Sequence, residues 1–219
     1  MENQVILLDY WPSPYAARVR IALAEKGIQY ESKDEDLANK SPLLMEMNPV
    51  HQKVPVLIHN GKPICESDVI IQYLDDVWKD ESPPLFPSNP YLKAKARFWN
   101  HFISTKVRDS GRKVWVSKGE DQEAGKKELI EWCKLLEEEL GDNPYFGIDS
   151  FGFVDISLLP FYNWVIYFKT FANFNFEAEC PKLVKWGERC MEKESVSKSL
   201  PNPDQMYAAY LEFHKRLGI

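Results

Sequence analysis

The chain has 219 residues, 44% of them hydrophobic and 13% aromatic, with a formal net charge of −6 at pH 7. That length and apolar content suffice for one large domain or two small ones with a substantial core, and the acidic balance argues against a nucleic-acid-binding surface, which needs clustered positive charge. The uncharged stretch from Ile156 to Phe168 contains Pro160 and Asn163 and falls short of the roughly 20 apolar residues of a membrane span, so it reads as a buried helix and no membrane partner is expected.

The amino terminus, with an acidic Glu2 and no basic region ahead of a long apolar run, shows neither a signal nor a transit peptide, which predicts a cytosolic location. Cys65, Cys133, Cys180 and Cys190 form no CxxC pair. They fit neither a disulfide framework nor a structural zinc site, and read as reduced thiols packed as small apolar residues. No metal and no cofactor are expected.

In chain order, Val5-Ile6-Leu7-Leu8 is a short apolar run of the kind that forms a buried strand, and it stops at Asp9 before the turn residues Trp11-Pro12-Ser13-Pro14. The next segment predicts a helix. Ser13 is a good N-cap, Pro14 suits the first helical position, Val19, Ala22 and Leu23 share a face, and Lys26-Gly27 end it. Residues Gln29 to Lys33 read as a second strand, and Ser41-Pro42-Leu43-Leu44 opens a short helix that gives out before Asn48-Pro49. Val54 to His59 and Lys62 to Cys65 read as a hairpin, because Asn60-Gly61 supplies the two positive φ angles of a type I′ turn. From Ser67 the positions Ile70, Tyr73, Leu74 and Val77 follow helical spacing and predict an amphipathic helix on that sheet.

The α/β part ends near Trp78. Residues 79–90, KDESPPLFPSNP, gather four prolines without periodicity and read as a linker. Beyond Tyr91 the segments Tyr91 to Val116, Gln122 to Leu140, Val154 to Phe171, Lys182 to Lys193 and Asp204 to Leu217 all carry helical spacing. The residues thus predict a βαβαββα domain over 1–78, a linker over 79–90 and an all-helical domain over 91–219.

That order, with WPSPY at residues 11–15, RVRIALAEKG at 18–27, NKSPLL at 39–44, NPVHQKVPVLIHNGKPICES at 48–67, GFVDI at 152–156 and ECPKL near residue 180, resembles the tau class of plant glutathione transferases over nearly the whole chain. The resemblance implies an α/β thioredoxin-like first domain that binds glutathione and an all-helical second domain that forms the electrophile site between the two. It implies a homodimer that conjugates glutathione to hydrophobic electrophiles in detoxification and stress response, with peroxidase activity on organic hydroperoxides as a further capacity. Glutathione is a co-substrate here, not a cofactor.

Chemically, the demand is to ionise a thiol whose ordinary pKa of about 8.5 keeps it mostly protonated at neutral pH. Ser13 stands at a helix start, where its hydroxyl can donate to a thiolate while the helix dipole adds a favourable field; read locally, it is equally a plain N-cap. The resemblance assigns it the catalytic role, and with no cysteine near residue 13 it favours conjugation over thiol–disulfide exchange. It also implies that Val54, before a cis-Pro55, aligns the cysteinyl main chain of glutathione like an added strand, although Pro55 alone reads as an edge-strand proline. Glu66 and Ser67 would hold the γ-glutamyl ammonium and carboxylate, and Lys40 and Lys53 the glycyl carboxylate. Read alone, the pair is an acid before an N-cap and the lysines are surface charges.

Asp155 resembles the acid of a capping box in a central helix, with Gly152 where the family has Ser or Thr, so Asp155 has to cap alone and its role is structural. By position the resemblance points to Trp11, Arg108, Trp115, Trp164, Ala209 and Phe213 as walls of the electrophile site, the aromatics among them being equally readable as core. Arg108 stands where the family often has an aromatic or apolar residue, and a cation there would favour acidic electrophiles. A carrier of apolar ligands on the same fold and a glutathione-dependent reductase or isomerase are the alternatives. The intact set Ser13, Lys40, Lys53, Pro55, Glu66 and Ser67 argues against the first.

Overall fold

A computed structural model of the chain describes residues 4–147 and 150–218, and structural statements below concern those residues. β1 (Val5–Asp9) is buried along its whole length, as its unbroken apolar run requires of a central strand. It pairs in parallel with β2 (Glu31–Asp34) and antiparallel with β3 (Val56–His59), which pairs antiparallel with β4 (Lys62–Cys65), giving the order β2-β1-β3-β4. Asn60 and Gly61 join β3 to β4 with φ of 51° and 78°, the positive values their turn type needs. β2 is a short polar edge that starts at Glu31, two residues later than the sequence predicts. β3 starts at Val56 rather than Val54, because Pro55 has no N–H to give to a ladder.

Helix α1 (Pro14–Glu25) buries Val19, Ile21, Ala22 and Leu23 completely. α2 (Pro42–Met47) is capped by Ser41, whose Oγ accepts from Leu44 N at 3.0 Å and donates to Glu35 Oε1 at 2.6 Å. α3 (Ser67–Val77) buries Ile70, Ile71 and Leu74, so its inner face differs from the predicted one: Val77 is 42% exposed, and Tyr73 is half-buried with its hydroxyl 2.6 Å from His59 Nδ1. An i, i+1, i+4 strip meets the sheet in place of the longer i, i+7 stripe.

The chain divides into two compact units, one of Met1–Leu85 with Lys198–Leu200 and the other of Phe86–Ser197 with Pro201–Ile219. The proline-rich stretch is pinned within each. Leu85 N donates to Asp75 Oδ1 at 2.8 Å, an oxygen that also lies 2.7 Å from the buried Lys26 Nζ, while Phe86 stacks on Phe153 at 4.2 Å in the second unit.

In the second unit α4 (Pro90–Phe102) runs through a π-helical turn, Ile103–Val107, into α5 (Arg108–Val116), and α6 (Glu120–Leu140) follows. The segment predicted as one helix from Val154 is two, α7 (Phe153–Tyr162) and α8 (Val165–Ala172), parted at Asn163-Trp164. Pro160 lies inside α7 and takes away the N–H that would bond the carbonyl of Ile156, weakening the helix just ahead of the break. α9 (Phe176–Glu179), α10 (Pro181–Met191), α11 (Glu194–Ser197) and α12 (Pro203–Leu217) complete the unit. The four-residue α9 and α11 are too short to show a period in sequence.

Asp155 caps α7 alone, as Gly152 at the capping position requires. Its Oδ2 accepts from Gly152 N at 3.0 Å, and its Oδ1 from Phe146 N at 3.1 Å and from Trp186 Nε1, on α10, at 2.7 Å. Complete burial nevertheless pushes its carboxyl up to about 6, against the pull of those donors. No helix among the described residues is long and apolar enough to cross a membrane. Cys65 is half-buried and Cys133, Cys180 and Cys190 are buried, and the Cys133 thiol is pushed well up by its hydrogen bond with Cys180 and by burial. That makes it a packing group rather than a nucleophile.

Candidate functional site

Strand register gathers the candidate residues of the first unit at one end of the sheet. Asp9 closes β1 opposite Asp34, the last residue of β2; Leu8 pairs with Val56, the first residue of β3; Val56 pairs with Cys65, the last residue of β4. An antiparallel strand begins where its neighbour ended, so all four segments entering or leaving the sheet here meet at the same edge. Those segments carry Ser13, Lys40, the run Lys53-Val54-Pro55, and the pair Glu66-Ser67.

Ser13 is half-buried at the start of α1, with φ −70° and ψ 121°. Its Oγ accepts from Ala16 N at 3.2 Å, its N–H donates to Tyr10 O at 2.8 Å, and its carbonyl accepts from Ala17 N at 3.0 Å. The cap thus uses a lone pair of the hydroxyl oxygen and leaves its proton free to be donated. The first turn of α1 holds no acidic residue, so nothing on the helix offsets its positive end of about half an elementary charge. The two readings of Ser13, cap and donor, are therefore compatible.

The loop before β3 is organised by Asn48, which is buried: its Oδ1 accepts from His51 N at 3.1 Å and its Nδ2 donates to Lys53 O at 2.9 Å. Lys53 is exposed, Val54 half-buried, and the Val54–Pro55 peptide is cis. Glu66 adopts φ 69° and ψ 121°, a region that costs a non-glycine residue about 1–3 kcal/mol, and its side chain makes no capping bond to α3. That conformation leaves its carboxylate exposed, with Oε1 3.9 Å from His51 Nε2, while Ser67 beside it is buried as the first residue of α3. Lys40 is exposed in the loop ahead of α2.

Sequence reasoning missed two residues here. His51 lies inside a quoted motif but carried no signal of its own, since its neighbour Glu66 comes from another segment. Arg18 is fully buried on α1; burial lowers its pKa to about 10, opposed by Tyr15 and by Asp68 in the first turn of α3. A buried arginine inside an amphipathic helix reads in sequence as a solvated charge.

Three of the six candidates for the electrophile site converge inside the second unit. The Trp115 ring on α5 lies 5.9 Å from Trp164 and 5.3 Å from Phe213 on α12. Tyr210 and His214, at 4.9 Å and 6.0 Å from Trp115, complete the cluster and were not expected, although Tyr210 lies one turn before Phe213 and His214 one turn after Tyr210. Trp164 hydrogen-bonds Tyr210, whose hydroxyl pKa is pushed far up by burial. Trp115 Nε1 is buried and has no hydrogen-bond partner among the described residues. Ala209 is half-buried one turn before Phe213, and Arg108 lies two turns before Trp115 with its side chain 39% exposed and its guanidinium bonded to the neighbouring Asp109 at 2.5 Å. Trp11, in the first unit, is 38% exposed.

A thioredoxin-like βαβαββα unit with a polar cluster at one end of its sheet, followed by a helical unit with an aromatic cluster, defines the two-domain glutathione-binding class of enzymes. Two family models match in that order: "Glutathione S-transferase, N-terminal domain" over residues 3–76 and "Glutathione S-transferase, C-terminal domain" over residues 92–194. The chain is 60% identical to a probable glutathione S-transferase, parC, of Nicotiana tabacum, the match covering 98% of this chain and 96% of the relative. It is 56% identical to glutathione S-transferase U19 of Arabidopsis thaliana, covering 99% and 98%. Among solved structures it matches rice GST1 in complex with glutathione at 42% identity and a TM-score of 0.94 over 100% of both chains. It matches a tau-class glutathione S-transferase from mango, Mangifera indica, at 36% identity and 0.89 over 96% and 98%. The chain belongs to the glutathione S-transferase family and, within it, to the tau class; it is a glutathione transferase.

Proposed function

We propose that Ser13 donates a hydrogen bond to the thiolate of bound glutathione, and that the positive end of α1 adds to the field that keeps the thiol ionised. The observation that carries this reading is the free hydroxyl proton of Ser13, set by a cap that uses only the oxygen, at a helix start with no acid in its first turn. Glutathione would be held around it by groups at the same end of the sheet. Lys40 and Lys53 take the glycyl carboxylate, Val54 aligns the cysteinyl main chain beside Pro55, and Glu66 and Ser67 take the γ-glutamyl amine and carboxylate. Glutathione is the co-substrate, and no cofactor takes part.

The acceptor is a hydrophobic electrophile met in the second unit by Trp115, Trp164, Ala209 and Phe213, with Arg108 biasing the choice. The unpartnered N–H of Trp115 favours electrophiles with an oxygen acceptor, such as a nitro or carbonyl group. Detoxification, peroxidase activity on organic hydroperoxides, a cytosolic location and a homodimeric assembly complete the proposal. They are supported by the family to which the chain belongs. The test is a panel of electrophiles and hydroperoxides assayed with glutathione. Ser13→Ala lowers the rate with a dinitrohalobenzene by about 10²–10³-fold while keeping retention on immobilised glutathione. A full rate in that variant removes Ser13 from its role, and a monomeric mass in solution removes the dimer.

A further inference from the structure

We propose that Arg20 is a positioning residue for Ser13: its guanidinium fixes the turn that carries Trp11 and Ser13, and ties that turn to the main chain at Ser199. The proposal rests on the reading of Ser13 as the thiolate's donor.

Arg20 lies two turns after Ser13 on α1, and its side chain leans back toward the helix start, as helical side chains do. Three donors of the guanidinium find three acceptors. Nη1 donates to Asp9 Oδ1 at 2.5 Å, Nη2 to Trp11 O at 3.1 Å, and Nε to Ser199 O at 2.9 Å. The Asp9 oxygen accepts from Tyr10 N as well, at 2.7 Å, and Tyr10 O in turn accepts from Ser13 N at 2.8 Å. Hydrogen bonds therefore run without a gap from Arg20 through Asp9 and Tyr10 to the Ser13 main chain. The Arg20 and Asp9 side chains are only 12% and 5% exposed, so solvent screens the pair weakly.

The Ser199 bond spans 179 residues of sequence and belongs to the short segment Lys198–Leu200 that is part of the first unit. One guanidinium thus holds the thiol-activating turn and a segment of the same unit that lies 179 residues away in the chain. A lysine could face Asp9, but its single ammonium on a flexible stem has no planar fork to serve three acceptors in fixed directions.

The test uses full-length Arg20→Lys and Asp9→Asn, with Ser13→Ala as control. It reads the pH dependence of kcat/KM with a dinitrohalobenzene, the glutathione Kd by calorimetry, and the folded fraction by circular dichroism. Arg20→Lys keeps its glutathione Kd within about threefold, loses about tenfold in kcat/KM near neutral pH, and moves the acidic limb of the profile up by about one unit. Asp9→Asn moves it in the same direction by less. An unmoved profile in both variants overturns the proposal, as does a loss of rate that only tracks the folded fraction, or failure of both variants to fold, which assigns the cluster to stability alone. If Ser13→Ala leaves the profile unmoved, the reading of Ser13 falls and the proposal with it; if Ser13→Ala moves it and Arg20→Lys does not, only the proposal falls.

Discussion

In the first unit the residues offered to a ligand are polar, half-buried or exposed in large part, and stand on segments that leave a sheet whose central strands are sealed. In the second they are aromatic rings packed on one another around Trp115. A polar group placed by a cap, a turn or a strand end can be altered without disturbing the core beneath it. An aromatic wall cannot, because the rings that would meet an electrophile are the rings that pack the helices. On the proposed reading, the first plan suits glutathione, the constant partner of the reaction, and the second suits a variable apolar one.

The contrast predicts where substitutions unfold the protein and where they only alter binding. Asp155→Ala should have the largest effect, a loss of about 3–5 kcal/mol, because it strands three N–H donors at once, two of them in buried bonds; chemical denaturation measures it, and a loss below about 1 kcal/mol would show that α7 does not depend on this cap. The same carboxyl sets a pH dependence. Its folded-state value of about 6 lies above the ordinary 3.8, so the native state holds the proton more tightly. The stability this gives is present below about pH 4 and is lost as the pH rises to about 6, by at most about 3 kcal/mol. Asp155→Asn cannot titrate, so the difference in stability between it and the wild type should change across that window; a constant difference contradicts the sign.

Glu66→Gln should weaken glutathione binding about tenfold, with little change in melting temperature, because the carboxylate is exposed and stands 3.9 Å from His51 Nε2. A loss of stability equal to the loss of binding would erase the contrast between the units. The smallest effect belongs to Arg108→Leu. With its charge already shared with Asp109, it should shift the ratio of rates between anionic and neutral electrophiles by about two- to threefold; an unchanged ratio removes Arg108 from specificity.

What could be read in the sequence follows the same division. Ser13-Pro14 and Ser41-Pro42 announce helix starts and Asn60-Gly61 a hairpin, since each is a rule about neighbours in the chain, and with the motif resemblance they led to the residues that the register later gathers at one end of the sheet. What sequence left hidden depends on partners far away. Arg20 meets Ser199, Lys26 meets Asp75, and Tyr210 meets Trp115 only once the chain has folded. The break between α7 and α8 was hidden for another reason: an all-apolar stretch has no polar face whose interruption could mark it.

The most direct test of the account is the ionisation of glutathione while it is bound. Ultraviolet absorption of the thiolate, followed through a pH titration of the wild-type complex and of Ser13→Ala, reports the thiol pKa without any electrophile present. The account predicts a bound thiol titrating at least one unit below its free value of about 8.5, and a return toward that value when the Ser13 hydroxyl is removed. A thiol that titrates equally low in both proteins would contradict it.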